Sequence, residues 1–131
     1  MVSMDKHHHD RWAPLDEHAF CPVYSSIDIL QEKWSLHAIR ALLEGKSMGF
    51  NQLRRTVGCN PATLAQRLEH LEELGIVIRT VHSVMPPKTS YALTEAGIAL
   101  DGVVDAIATW GRKYLDEAKG KKGTIQVRKA S

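Results

Sequence analysis

Residues 50–75 read FNQLRRTVGCNPATLAQRLEHLEELG, and their interpretation decides the fold. Asn60 followed by Pro61 is a strong helix start. The Asn side chain accepts otherwise unpaired backbone N–H groups, and proline fits the first helical position without losing a bond. Leu64, Leu68 and Leu71 then recur on one stripe, and Gly75 is placed as the stop signal. The opposite face is expected to carry Thr63, Gln66, Arg67 and His70, groups able to hydrogen-bond to base edges and phosphates. Upstream, Asn51 is expected to cap a brief helix carrying Leu53, Arg54, Arg55 and Val57, which Gly58 ends. Only Gly58, Cys59 and Asn60 separate the two helices. A short helix, a tight turn and a longer helix with a polar face can place the second helix in the major groove while Arg54 and Arg55 grip the phosphate backbone.

Working outward, Ile76, Val77, Ile78, Thr80 and Val81 form a β-branched run, and Thr89, Tyr91 and Leu93 alternate, so a hairpin is expected. Between them Val84 to Lys88 contains Met85, Pro86 and Pro87 and must project as a loop, since proline lacks the amide donor of a central strand. Lys88 at its tip, with Arg79 and His82 along a strand, would approach the neighbouring DNA backbone or minor groove. Thr94 is expected to cap one long final helix. Its Ile98, Val103, Val104, Ile107, Trp110, Tyr114 and Leu115 exceed what one thin domain covers, which suggests a dimer interface. Trp110 and Tyr114 could also line a ligand pocket, although aromatic residues at helical spacing are usually core.

On the amino-terminal side, Val23, Ile27 and Leu30 after Cys21 and Pro22 mark a first amphipathic helix. Ser35 is expected to cap a second, with Leu36, Ile39, Leu42 and Leu43 in one stripe and Gly45 as its left-handed stop. Trp34 sits between them as a wedge. Met48 to Phe50 leaves room for a very short extended piece. The whole is a mainly α chain with a small β-hairpin (α+β), in the order of a winged helix-turn-helix.

Composition agrees with one soluble folding unit: 131 residues, 44% hydrophobic and 24% charged. The expected division is a flexible arm at 1–20 with His7, His8 and His9, a folded domain at 21–117, and a basic flexible tail at 118–131. No apolar run reaches bilayer length and residues 1–20 lack a secretory signal, so a cytoplasmic protein with no membrane partner is expected. The tail holds Lys119, Lys121, Lys122, Arg128 and Lys129 and no acid. The net charge of +2 therefore becomes −3 over residues 1–117 once the tail's five cations are taken away. Within that acidic part, Gly45 to Leu68 contains Lys46, Arg54, Arg55 and Arg67 without one Asp or Glu, a block suited to phosphate.

Catalysis lacks a constellation: there is no Cys-x-x-Cys pair, nucleophile elbow, glycine-rich phosphate loop or His-Glu-x-x-His motif, and a thiol-dependent enzyme is the weaker reading. Two cysteines do not make a four-ligand zinc site, and three consecutive histidines hold no defined geometry, so neither metal nor cofactor is expected.

Over residues 21–115 the chain resembles the HxlR family of bacterial transcriptional regulators, relatives of the MarR-like winged-helix proteins. The resemblance rests on Cys21-Pro22-Val23, Glu32-Lys33-Trp34-Ser35, Phe50-Asn51-Gln52-Leu53-Arg54-Arg55, Thr63-Leu64-Ala65-Gln66-Arg67-Leu68 and Tyr91-Ala92-Leu93-Thr94-Glu95-Ala96-Gly97. It implies a homodimer joined through its first and last helices, bound to palindromic double-stranded operator DNA with one recognition helix per half-site, about 34 Å apart. Repression is the commoner habit. The resemblance also implies sensing of an oxidant or electrophile at a cysteine matching Cys21. The alternative for Cys21 is a buried small hydrophobe. Cys59, in the turn before the recognition helix, departs from the family pattern; in the sensing reading, oxidation joins Cys21 to it or to another subunit. Two further alternatives stand beside redox switching: a ligand-responsive regulator, and an interaction module that no longer binds DNA, against which the acid-free block argues.

Overall fold

A computed structural model describes residues 20–115, so the arm before Phe20, with His7 to His9, and the tail at 118–131 lie outside the described residues. The elements in order are α1 (Pro22–Leu30), α2 (Ser35–Gly45), β1 (Ser47–Gly49), α3 (Phe50–Val57), α4 (Pro61–Glu73), β2 (Val77–Ser83), β3 (Lys88–Leu93), α5 (Glu95–Ile98) and α6 (Asp101–Tyr114). The short extended piece joins the hairpin as a third strand: the antiparallel sheet runs β1-β3-β2, with Met48 opposite Tyr91 and Arg79 opposite Tyr91 from the other side.

The core gathers buried residues from α2, α3 and α4 and one from each strand of the sheet. Ile39, Leu42, Leu53, Leu64, Leu68, Leu71 and Val77 are essentially fully buried, with Ala38, Met48, Cys59 and Leu93 packed among them. Full burial of each large aliphatic side chain is worth roughly 1.5–3 kcal/mol, which fixes α3 and α4 against α2.

Four local expectations are corrected. Ser35 is not the cap of α2 but its first residue, buried, with its N–H donating to the Glu32 carbonyl at 3.1 Å; the capping position belongs to Trp34, whose backbone is left-handed at φ 79°. Gly45 is not the left-handed stop. It ends the helix, and the positive φ of 66° falls on Lys46. What position 45 requires is the absence of a side chain, because a Cβ there would lie 2.6 Å from Met48 Sδ. Asn51 does not cap α3, which begins one residue earlier at Phe50 behind Gly49 and has no side-chain cap.

The fourth concerns the end of the chain. Thr94 does cap a helix, accepting from Gly97 N–H at 3.2 Å, but α5 is only four residues long. The chain tightens at Ala99 and Leu100, where Leu100 N–H bonds the Gly97 carbonyl three residues back, and Leu100 packs on the core before α6 starts. Gly97 is buried so closely beneath the sheet that a Cβ would meet the Ile76 carbonyl.

Candidate nucleic-acid interface

Helix α4 is presented by its own amino end. Asn60 Oδ1 accepts from Ala62 N–H at 2.8 Å and Thr63 N–H at 3.3 Å, and Pro61 takes the first helical position. Gly58 and Gly75, at φ 81° and 80°, close the helices on either side of the turn and of α4 as expected. With the leucine stripe inward, the residues left exposed are Pro61, Ala62, Ala65, Gln66, Glu69, Glu72 and Glu73, so the outer line of the amino half is Ala62, Ala65 and Gln66, with Thr63 half-buried beside them.

Arg67 and His70 do not share that outward line. Arg67 Nε donates to the Lys33 carbonyl at 2.8 Å, and His70 Nδ1 lies 3.1 Å from Glu32 Oε1. Both are turned along the flank of α4 toward the connection between α1 and α2. A wheel of 100° per residue already sets Arg67 nearer the leucine stripe than Gln66, and that was the signal available in the sequence.

Helix α3 is anchored by buried Leu53, which leaves Asn51 and Arg55 exposed and Arg54 half-buried. Both arginines stand in its last turn, where cations interact favourably with the helix dipole. Among the described residues two arginines are held in ion pairs. Arg40 is paired with Glu44 at 3.3 Å and Arg79 with Glu72 at 3.7 Å. Arg54, Arg55 and Lys88 are in no ion pair among the described residues. Lys88 is exposed, but it is not the tip of the wing: it opens β3 opposite Ser83, and the projecting turn holds exposed Val84 and Met85. His82 Nε2 lies 2.7 Å from Ser90 Oγ across the hairpin.

Between α4 and the wing lies a cavity of about 340 Å³ bounded by Ala65, Gln66, Glu69, Glu72, Arg79 and Tyr91. Burial pushes the Tyr91 hydroxyl above its ordinary value of 10.0, with Glu72 adding to the rise and Arg79 opposing it. Glu69, Glu72 and Tyr91 were missed by the sequence reading, because only the pairing of strand with helix brings them together.

Both cysteines are buried, each 7% exposed, and the two are not cross-linked. Cys21 sits at the cap of α1, where its Sγ accepts from Tyr24 N–H at 3.5 Å. Cys59 belongs to the core in front of the recognition helix.

The sequence pattern of the HxlR-like helix-turn-helix family matches residues 29–119, well over half of the chain. The chain belongs to the HxlR family. It is similar to an uncharacterized helix-turn-helix transcriptional regulator of Bacillus subtilis, YdeP, at 35% identity over 102 residues, 77% of this chain and 79% of that protein. Among solved structures, the reduced form of the transcriptional regulator YodB from B. subtilis is 31% identical with a TM-score of 0.63, covering 78% of this chain and 99% of that one. YodB has also been solved with quinone bound, at 30% identity and a TM-score of 0.62 over 72% of this chain and 100% of that one. The redox regulator HypR in its oxidized form is 34% identical with a TM-score of 0.66, over 73% and 99%. The described fold is thus the winged helix of HxlR and MarR regulators, and the family is one of DNA-binding transcriptional regulators. Among the described residues no helix is long and apolar enough to cross a membrane.

Proposed function

We propose that this HxlR-family chain is a homodimeric transcriptional repressor, not an enzyme, that acts in the cytoplasm and binds a palindromic operator with one α4 helix per half-site. The observation that carries this reading is that Arg54 and Arg55, in the last turn of α3 just before α4, and Lys88 on the wing stand in no ion pair among the described residues, while the outer face of the amino half of α4 stays exposed. Arg54, Arg55, Lys88 and Asn51 take phosphates, Thr63 and Gln66 take base edges, with Gln66 suited to adenine, and Asn60 supports them as the cap. Dimerisation runs through α1 and α6. Tyr24, Ile27, Val103, Ile107 and Trp110 are all 40% exposed or more, and an open apolar cleft joins Val103 to Pro22, Val23, Ile27, Leu30 and Leu36.

The names of the structural relatives, one an oxidized redox regulator and one quinone-bound, support a switch by oxidants or electrophiles, which we place at Cys21, the cap of the dimer helix. Modification there would shift α1 and with it the spacing of the two α4 helices. Buried Cys59 is the disulfide partner available within the chain.

The test is binding to the DNA upstream of the chain's own gene, reduced and oxidised, across a salt series. Specific binding that oxidation weakens and reductant restores is expected, with Cys21→Ser insensitive to oxidant. Replacing Arg54 and Arg55 together by Ala should lower the salt slope by about two, at roughly 0.9 per phosphate contact. Binding no tighter than to random duplex in either state would overturn the reading.

A further inference from the structure

Arg67 and His70, one turn apart on α4, reach back to two adjacent residues far away in sequence, Arg67 to the Lys33 carbonyl and His70 to the Glu32 carboxylate. That target is held from several sides. Trp34, the next residue, is left-handed at φ 79° and ψ −10°, a conformation that a bulky side chain keeps only where its surroundings enforce it. Its ring packs on the core, lies 5.0 Å from the His37 ring, and carries the Lys33 ammonium over its face at 5.2 Å. Ser35 N–H closes the turn on the Glu32 carbonyl. The connection is a tight, multiply contacted turn at the carboxyl end of α1, the helix that holds Cys21 at its cap.

Charge argues in the same direction. A guanidinium whose Nε is bound to a backbone carbonyl is oriented by that carbonyl, away from the exposed line of Ala62, Gln66 and Glu69. A glutamate on that flank would weaken phosphate binding by simple repulsion. Its place opposite His70 therefore needs another reason.

We propose that Arg67 and His70 are positioning residues that clamp the recognition helix to the Glu32–Trp34 connection, so that the placement of α1 sets the tilt of α4 on DNA. The proposal rests on the DNA-binding reading above. It supplies the route by which a change at the dimer helix reaches the residues that read bases.

The experiment compares Glu32→Ala, Arg67→Ala, Arg67→Lys and His70→Ala with the unaltered chain. Each is measured on a duplex that the unaltered protein selects from a random pool, and on a scrambled duplex, across a salt series. Hydrogen exchange is followed over residues 31–35 and 61–73 without DNA. Removing the Glu32 carboxylate would tighten both duplexes on charge alone. The clamp instead requires the selected duplex to weaken by about threefold to tenfold while the scrambled one holds or tightens. Arg67→Ala should behave likewise at unchanged salt slope, with Arg67→Lys restoring most of the loss, because its ammonium can still donate to the Lys33 carbonyl. Glu32→Ala and His70→Ala combined should cost no more than either alone. Both segments should exchange faster in Arg67→Ala.

A fall in salt slope of about one on both duplexes in Arg67→Ala would make Arg67 a phosphate contact and overturn the clamp. Equal tightening of both duplexes by Glu32→Ala would also overturn it. Should the unaltered protein select no duplex, the functional reading fails, and exchange alone decides the clamp: faster exchange in Arg67→Ala upholds it, and unchanged exchange refutes it.

Discussion

Helices α4 and α6 are nearly equal in length, at 13 and 14 residues, and both are amphipathic, yet the fold treats them in opposite ways. Leu64, Leu68 and Leu71 of α4 are fully buried inside their own chain, whereas α6 has no buried residue and keeps Ile107 and Trp110 half exposed. The difference shows what each helix has left to offer. Helix α4 has satisfied its apolar face and presents polar groups, suited to a polar, charged partner. Helix α6 has its apolar face still to cover, suited to a second copy of the same surface.

The comparison breaks most visibly if the buried stripe is cut. Leu68→Ala should cost about 2–5 kcal/mol, read as a lower urea midpoint, because the cavity lies among α2, α3 and α4 and cannot collapse. The same truncation on α6 should behave differently. Trp110→Ala should leave the monomer's unfolding nearly unchanged but weaken self-association by about 2 kcal/mol or more, seen as dissociation by sedimentation at micromolar concentration. Dimers that survive Trp110→Ala and Ile107→Glu alike would remove α6 from the interface.

Asn60→Ala sharpens the comparison at the amino end of α4. It should cost about 1 kcal/mol in urea unfolding, with Asn60→Asp retaining most of it, since either side-chain oxygen accepts the Ala62 and Thr63 amides. The smallest effect belongs to Tyr91. Burial raises its pKa above the unfolded value of 10.0, so the folded state holds the proton longer. That contribution to stability is complete below pH 10 and is lost as pH rises through the raised value. Tyr91→Phe should therefore decline less steeply in stability above pH 10 than the unaltered chain, and an identical alkaline slope would refute the assignment.

Much of this was legible in the residues. Asn60-Pro61, the leucine stripe, Gly58, Gly75 and the proline-containing wing are local signals whose physics acts within a few residues, and the structure places each as its chemistry requires. The misreadings share a cause. Asn51 and Ser35 are good capping residues, but Gly49 and Trp34 took the caps because the packing of Leu53 and of the Trp34 ring set where each helix begins. Gly45 looked like a stop by composition, whereas it is required by the approach of Met48 from β1.

The sequence by itself determined the order of helices and strands as far as the wing, the acid-free basic block and the resemblance to the HxlR family, because periodicity, capping, charge and short motifs are properties of neighbouring residues. Only the tertiary structure decided which cations remain without a carboxylate, that Arg67 and His70 turn to the Glu32–Trp34 connection, and which apolar face is left uncovered. Those depend on groups distant in the chain, whose distances are set by packing and not by spacing.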